Sequence, residues 1–96
     1  MVNSESISIR VEEIHWLIAS DEVPKAVKRV LDFARDFSGE HLKEAIVISS
    51  NYTRLSKELR QGIIDYTYGD QKRNQLLYRM LELIDEIHTN GALNAI

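Results

Sequence analysis

Two helical patterns decide the fold of this chain, NYTRLSKELRQ at residues 51–61 and QKRNQLLYRMLELIDEI at residues 71–87. Their apolar residues recur at alternating spacings of three and four, which is typical of the buried seam of a helical bundle. The first stripe, extended upstream, is Ala45, Ile48, Tyr52, Leu55 and Leu59, and the second is Arg73, Leu76, Leu77, Met80, Leu81, Ile84 and Ile87. We therefore predict a helical hairpin around which the upstream residues pack.

The break between the two patterns predicts where these helices end and begin. Gly62 suits the left-handed position that often follows a helix, so we expect the third helix to span residues 40–61. Thr67 and Asp70 resemble a weak capping box, which predicts a fourth helix over residues 68–89.

The upstream residues predict two further helices. The first begins near Ser8, and at ~100° per residue Trp16 falls nearly opposite its apolar stripe. Either a neighbouring element covers Trp16, or its indole faces solvent or a partner. The second begins after Asp21, whose carboxylate can cap unpaired amides, and it ends at Ser38. The two stripes are Val11, Ile14 and Ile18, and then Val23, Ala26, Val27, Val30, Leu31, Ala34 and Phe37.

These patterns predict an all-α fold, a compact antiparallel four-helix bundle, because short connections make successive helices antiparallel. A fifth short helix within residues 63–68 is the alternative. The chain has 96 residues and is 44% hydrophobic, which predicts a single globular domain. We expect residues 1–8 to be a flexible N-terminal segment, residues 9–89 the helical domain, and residues 90–96 a tail or the start of a linker.

The composition also bears on the compartment. The absence of cysteine excludes disulfides and thiolate metal sites. The first residues lack the basic start and apolar run of a signal peptide, and the longest aliphatic run cannot span a bilayer. We therefore expect a cytoplasmic protein without a membrane segment.

The sequence contains no recognisable catalytic or metal-binding motif. His15, His41 and His88 lie far apart and form no pair at the spacing that places two ligands on one helix face. Ser49 and Ser50 lack both a Gly-x-Ser-x-Gly elbow and a nearby base. We accordingly expect no enzymatic activity, no metal and no cofactor.

Charged residues separate once the predicted helices are folded antiparallel. One end gathers the bases Lys25, Lys28, Arg29, Arg54, Lys57, Arg60, Lys72 and Arg73, and the other gathers the acids Asp32, Asp36, Glu40, Glu44, Glu82, Asp85 and Glu86. This order opposes the helix dipoles of the second and fourth helices. Either chance and local pairs such as Glu82 with Arg79 explain it, or the module stacks its basic end on an acidic end, a heterologous contact that builds rings or filaments.

Several short motifs resemble a known family. They are Leu17-Ile18-Ala19 followed by Ala26 and Leu31, Ser49-Ser50-Asn51-Tyr52 with Leu55, Gly62-Ile63, and Asn74 leading into Leu76, Leu77 and Leu81-Glu82-Leu83-Ile84-Asp85. The segment from Ile14 to Ile87 resembles type eleven of the effector-associated domains of bacterial conflict systems. The chain departs from that pattern at two places. In the family a glycine commonly follows the Leu-Ile-Ala motif, where this chain has Ser20-Asp21. In the family an acidic pair opens the last helix, where this chain has Gly69-Asp70.

The resemblance implies a non-catalytic adaptor with a death-like helical bundle. Such a domain pairs with a like domain on another protein or with itself, and thereby couples a sensor or NTPase to an effector. The alternative is a small helical nucleic-acid-binding domain, which the net charge of −3 disfavours. The candidate interface residues are Trp16, Lys25, Lys28, Arg54, Lys57, Arg60, Arg73, Tyr78, Glu40, Glu44, Glu82 and Glu86, with Val47 as a further apolar residue outside the stripes.

Overall fold

The structure is a computed structural model that describes the backbone of residues 4–94 and the side chains of residues 7–90. Within that part of the chain it consists of helices alone: α1 (Ser4–Ala19), α2 (Val23–Phe37), a 3-10 helix (Gly39–His41), α3 (Leu42–Arg60) and α4 (Tyr66–Asn94). The prediction of an all-α bundle of four helices is confirmed. The additional short helix precedes α3 and does not lie within residues 63–68.

The four α-helices surround one apolar core. Both α2 and α4 contact all three of the other α-helices. The largest fully buried side chains come from every helix: Ile14, Val23, Val30, Phe33, Ile48, Met80, Leu83, Ile84 and Ile87. A helix with several neighbours buries a wider arc than a single stripe. This explains why the stripes predicted from the sequence missed Phe33 on α2 and Leu83 on α4.

The first connection corrects the predicted role of Asp21. The amide of Asp21 donates to the Ile18 carbonyl at 3.1 Å and that of Glu22 donates to the Leu17 carbonyl at 2.8 Å. These two bonds form a Schellman motif that ends α1, with Asp21 at a φ of 59°. Asp21 therefore serves the C-terminus of α1, whereas the N-cap of α2 is Glu22, which makes no side-chain capping bond. Asp21 thus takes the left-handed position within Ser20-Asp21, where the resembled pattern commonly has a glycine.

The second such motif ends α3, as predicted. Gly62 has a φ of 72°, its amide donates to the Leu59 carbonyl at 3.2 Å, and the next amide donates to the Glu58 carbonyl at 2.9 Å. The chain then enters α4 earlier than predicted, because the Asp65 carboxylate accepts a hydrogen bond from the Tyr68 amide at 2.8 Å. The predicted capping box that begins at Thr67 is therefore wrong.

Helix ends account for the other differences from the predictions. The first helix begins at Ser4 and not near Ser8, so part of the segment predicted to be flexible is helical, and residues 1–3 lie outside the described residues. The third helix begins at Leu42, two residues later than predicted, because a 3-10 helix over Gly39–His41 precedes it. The fourth continues past the predicted stop to Asn94, since one glycine lowers helix propensity by only ~1 kcal/mol.

The turn between α3 and α4 exposes apolar side chains. Ile63 is 64% exposed, whereas the neighbouring Ile64 packs partly against the core. Tyr66 and Tyr68 are also exposed. Gly69, by contrast, is buried where α4 approaches α3 so closely that a Cβ would overlap the methyl groups of Leu59.

The two glycines on either side of α3 give a matched test of the left-handed turn. Gly62→Ala should destabilise the protein by ~1–2 kcal/mol, because a Cβ is strained at positive φ. Gly39→Ala should cost less than ~0.5 kcal/mol, since Gly39 has a negative φ and no atom lies within 4 Å of a Cβ there. Urea unfolding of both variants measures the difference, and equal losses would contradict the assigned role of Gly62.

Candidate functional site

The described residues offer no metal-binding cluster. No group of three or more His, Asp or Glu side chains is placed to hold an ion between residues 7 and 90. No side chain in the same range has a buried polar atom without a hydrogen-bond partner. A helix both long and apolar enough to cross a membrane is not found among the helices described. The remaining candidates for a functional site are the charged and apolar surfaces.

The predicted basic residues surround one end of the bundle. The guanidinium of Arg73 donates a hydrogen bond to the carboxylate of Asp21, which brings the first half of α4 against the connection between α1 and α2. The beginnings of α2 and α4 therefore lie close to the end of α3. Together these segments carry Lys25, Lys28, Arg54, Lys57, Arg60, Lys72 and Arg73. Arg73 is half-buried and neutralised by this contact, so it is the least available of the set.

Carboxylates neutralise some of the other bases. The Lys25 ammonium lies 3.1 Å from the Glu22 carboxylate, and the Arg54 guanidinium lies 3.9 Å from that of Glu58. No carboxylate lies within 4.0 Å of the ammonium or guanidinium groups of Lys28, Lys57 and Arg60 in the described part of the chain. The basic end is thus a mixture of paired and unpaired cations.

A groove of about 340 Å³ lies between α3 and the first half of α4. Its apolar lining includes Leu55, Ile64 and Leu76, and its charged lining consists of Arg54, Lys72, Arg79 and Glu58. Three cations face one carboxylate, so the groove carries a positive excess. The Lys72 ammonium also lies 5.5 Å from the centre of the Tyr68 ring, within the range of a cation–π contact.

Sequence reasoning missed Arg79 as a member of this groove. It treated Arg79 as a local partner of Glu82, but the two do not form an ion pair in the structure. The signal that could have found it is the spacing of Lys72, Gln75 and Arg79, which places these three side chains on one helix face.

The acidic end is built around a histidine. His41 is 8% exposed, its Nε2 lies 3.2 Å from the Glu86 carboxylate, and its Nδ1 lies 2.5 Å from the Ser38 hydroxyl. With the proton on Nε2, the ring donates to Glu86 and accepts from Ser38. This contact joins the beginning of α3 to the second half of α4. Glu40, Glu44, Glu82 and Asp85 are exposed around it.

Two acids of the predicted end are neutralised by bases of α1 and α2. The Asp36 carboxylate accepts a hydrogen bond from Arg10 at 3.2 Å, and that of Asp32 lies 3.2 Å from Arg35. By contrast, no cation lies within 4.0 Å of the Glu44 or Glu82 carboxylates among the described side chains. The available negative charge is therefore concentrated on α3 and α4.

The apolar candidates are exposed on two different parts of the surface. Trp16 on α1 is 72% exposed, so the structure selects the alternative in which its indole faces solvent. Tyr78 on α4 is 68% exposed and Val47 on α3 is 49% exposed. Asn74, a residue of the resembled motif, is exposed as well. Trp16 belongs to a helix distant in sequence from the other two, and the structure does not bring it to the groove.

The fold and these surfaces define a small, helical accessory domain. The family described as effector-associated domain 11 matches residues 9–88 of the chain. The chain therefore belongs to this family, as the resemblance predicted. No curated protein and no solved structure matches the chain.

The histidine contact predicts an asymmetry between two neighbouring residues. His41→Ala should destabilise the fold by ~1–3 kcal/mol, because it leaves a void and removes the partner of Ser38. Glu40→Ala should change stability by less than ~0.5 kcal/mol, since its side chain is 79% exposed. Thermal unfolding of both variants measures the contrast. A neutral His41→Ala would show that the ring does not hold α3 against α4.

Proposed function

We propose that this chain is a non-catalytic adaptor domain that pairs with a like domain, on another protein or on a second copy. Such pairing would couple an NTPase or sensor to an effector in bacterial conflict or immune signalling. Membership of the effector-associated domain 11 family supports the link to effectors. We also infer that the domain acts in the cytoplasm.

The separation of exposed charge is the observation that carries this proposal. Lys57 and Arg60 at the end of α3 lack a nearby carboxylate, and Glu44 and Glu82 lack a nearby cation, within the described residues. Surface ion pairs contribute little to stability, so leaving such groups unpaired costs the fold little. Complementary patches, however, accelerate association and select partners.

Exposed aromatic residues support a protein partner. Tyr and Trp are enriched among the residues that dominate binding energy at protein interfaces. Trp16, Tyr66 and Tyr78 are each more than two-thirds exposed, at 72%, 81% and 68%.

The paired cations count against the nucleic-acid alternative. Binding to phosphate through Lys25 or Arg73 would require these side chains to leave carboxylates that already lie beside them. The net charge of −3 adds a general repulsion between the domain and a polyanion.

A salt titration and a charge reversal test the proposal. Association of the full chain, measured by sedimentation velocity over a concentration series, should weaken as salt rises, because exposed charges are screened beyond ~8 Å at physiological ionic strength. Arg54→Glu combined with Lys57→Glu should abolish association without changing the far-ultraviolet circular dichroism. Lys43→Glu is the control, since it reverses an exposed charge at the opposite end of the same helix.

Mixing provides a gain of function as a second arm. The Arg54→Glu, Lys57→Glu variant should pair with a variant that carries Glu82→Lys and Glu86→Lys, because complementary charges face each other again. An association that resists salt and is lost with Trp16→Ala would move the contact to the apolar surface of α1 and keep the adaptor function. A chain that stays monomeric at every concentration and binds no other domain of its family would overturn the proposal.

A further inference from the structure

The charged residues of α3 and α4 share one face of the bundle. At ~100° per residue, Lys72, Gln75, Arg79, Glu82 and Glu86 fall within an arc of roughly 80° on α4. The first three line the groove against α3, so Glu82 and Glu86 continue the same face beyond it. The contact of Glu86 with His41, at 3.2 Å, shows that this continuation still borders α3.

The matching strip of α3 has the same organisation. Asn51, Arg54 and Glu58 line the groove, and at ~100° per residue Glu44 falls on the same side of the helix. Because α3 and α4 are antiparallel, Glu44 lies at the level of the acids of α4, and Arg54 lies at the level of its bases. We call this surface, from Glu44 to Glu58 and from Lys72 to Glu86, the α3–α4 face.

Charge changes sign once along the α3–α4 face. The half near the turn holds Arg54, Lys72 and Arg79 against one acid, Glu58. The other half holds Glu44, Glu82 and Glu86, and only Glu86 has a partner within 4.0 Å there, the neutral or charged ring of His41. One face therefore carries a positive half and a negative half of similar size.

Exposed apolar groups lie near the level at which the sign changes. Val47, one turn from Glu44, lies on the same side of α3 and is 49% exposed, whereas Tyr78 is 68% exposed at the edge of the α4 strip, about 40° beyond Glu82. Energetically dominant residues cluster at the centre of interfaces, with charged residues around them. The order along this face, bases, apolar residues and acids, follows that arrangement.

We propose that the α3–α4 face docks on the same face of a second copy about a twofold axis. The axis lies in the interface, perpendicular to the helices, at the level between Arg79 and Glu82, where the sign of the charge changes. This rotation reverses the direction along the helices, so each positive half meets the negative half of the other copy. Every attractive contact then occurs twice, which is the property of an isologous interface.

The inference rests on the proposed function and narrows it from pairing in general to one geometry. Stacking of a basic end on an acidic end is heterologous, so it continues into rings or filaments. Docking through the α3–α4 face uses both charge sets at once, and it stops at two copies. The charge complementarity is thus satisfied within a closed pair.

The size of the face sets the expected strength. From Glu44 to Glu58 it is about 21 Å long at ~1.5 Å per residue, and two helix diameters make it about 20 Å wide. Its projected area is therefore on the order of 400 Å², below the ~800 Å² per partner of a standard interface. We expect weak pairing that requires high protein concentration, so the measurement must extend to the millimolar range.

Reversal of charge in each half of the face tests the geometry. Sedimentation equilibrium of the full chain should give a mass that saturates at two copies. Lys72→Glu with Arg79→Glu should lower the association constant by at least about tenfold, and so should Glu44→Lys with Glu82→Lys. An equimolar mixture of the two variants should recover a complex with one copy of each, since both of its contacts are again complementary.

The matched control lies on the same end of the bundle but on another face. Lys25→Glu with Lys28→Glu reverses two exposed bases of α2 and leaves the α3–α4 face unchanged. The closed pair should keep its association constant within about twofold, because neither side chain belongs to the α3–α4 face and the longer-range repulsion they add is screened by salt. End-to-end stacking would instead be weakened as strongly as by the variants of the face.

The outcomes separate this inference from the proposed function. A complex that grows beyond two copies would overturn the closed pair and leave an adaptor that associates in another way. So would an association constant that falls as much in the α2 variant as in the variants of the α3–α4 face. A chain that is monomeric alone but binds a different domain of its family would also overturn self-pairing and keep the adaptor function. A chain that neither pairs with itself nor binds another domain of its family would overturn both the closed pair and the adaptor function. A two-copy mass with the expected pattern of loss and recovery would establish the face.

Discussion

The antiparallel register of α3 against α4 is the constraint on which the rest of the structure depends. A left-handed glycine, Gly62, ends α3, and a carboxylate cap at Asp65 begins α4 after a turn of few residues. Gly69 then allows α4 to approach Leu59 more closely than any side chain would permit. These local requirements fix which residues of the two helices lie side by side. The groove, the contact of His41 with Glu86 and the order of charge on this surface all follow from that register.

The buried faces could be predicted from the sequence because periodicity reports them directly. Val23, Ala26 and Val30 of α2, and Met80 and Ile84 of α4, are core residues as their spacing indicates. Phe33 and Leu83 were missed because a periodic stripe describes one contact, and these helices each have three neighbours. The helix starts were harder to predict, since Asp21 and Thr67 both fit the sequence pattern of a helix cap, whereas the cap of α4 is Asp65. Only the backbone geometry shows that Asp21 ends a helix and Asp65 begins one.

The candidate surface could be predicted only in part. Antiparallel folding was enough to gather bases such as Lys57 and acids such as Glu44 at different levels of the bundle. It could not distinguish a charge that is free from one that is neutralised, because Arg73 with Asp21 and Arg10 with Asp36 are contacts between distant parts of the sequence. The predicted antiparallel folding also could not show that some of the bases and some of the acids lie on the same face of the bundle. That property depends on the register of the hairpin.

The position of two bases within α4 changes how the charge order on this helix is explained. The effect of the helix dipole falls off within the first turn. Lys72 and Arg73 are the seventh and eighth residues of α4, which begins at Tyr66, so they lie beyond that turn and cost little. Apart from Glu86, which contacts His41, the fold is therefore nearly indifferent to the sign of charge along the exposed face of α4. A reversal in one half would leave the core intact and would disturb only what the face binds, and a matching reversal in the other half would restore the complementarity. Folding alone would let the charges of the two halves vary independently. If the face binds its own copy, a change of charge in one half should instead be accompanied by a matching change in the other.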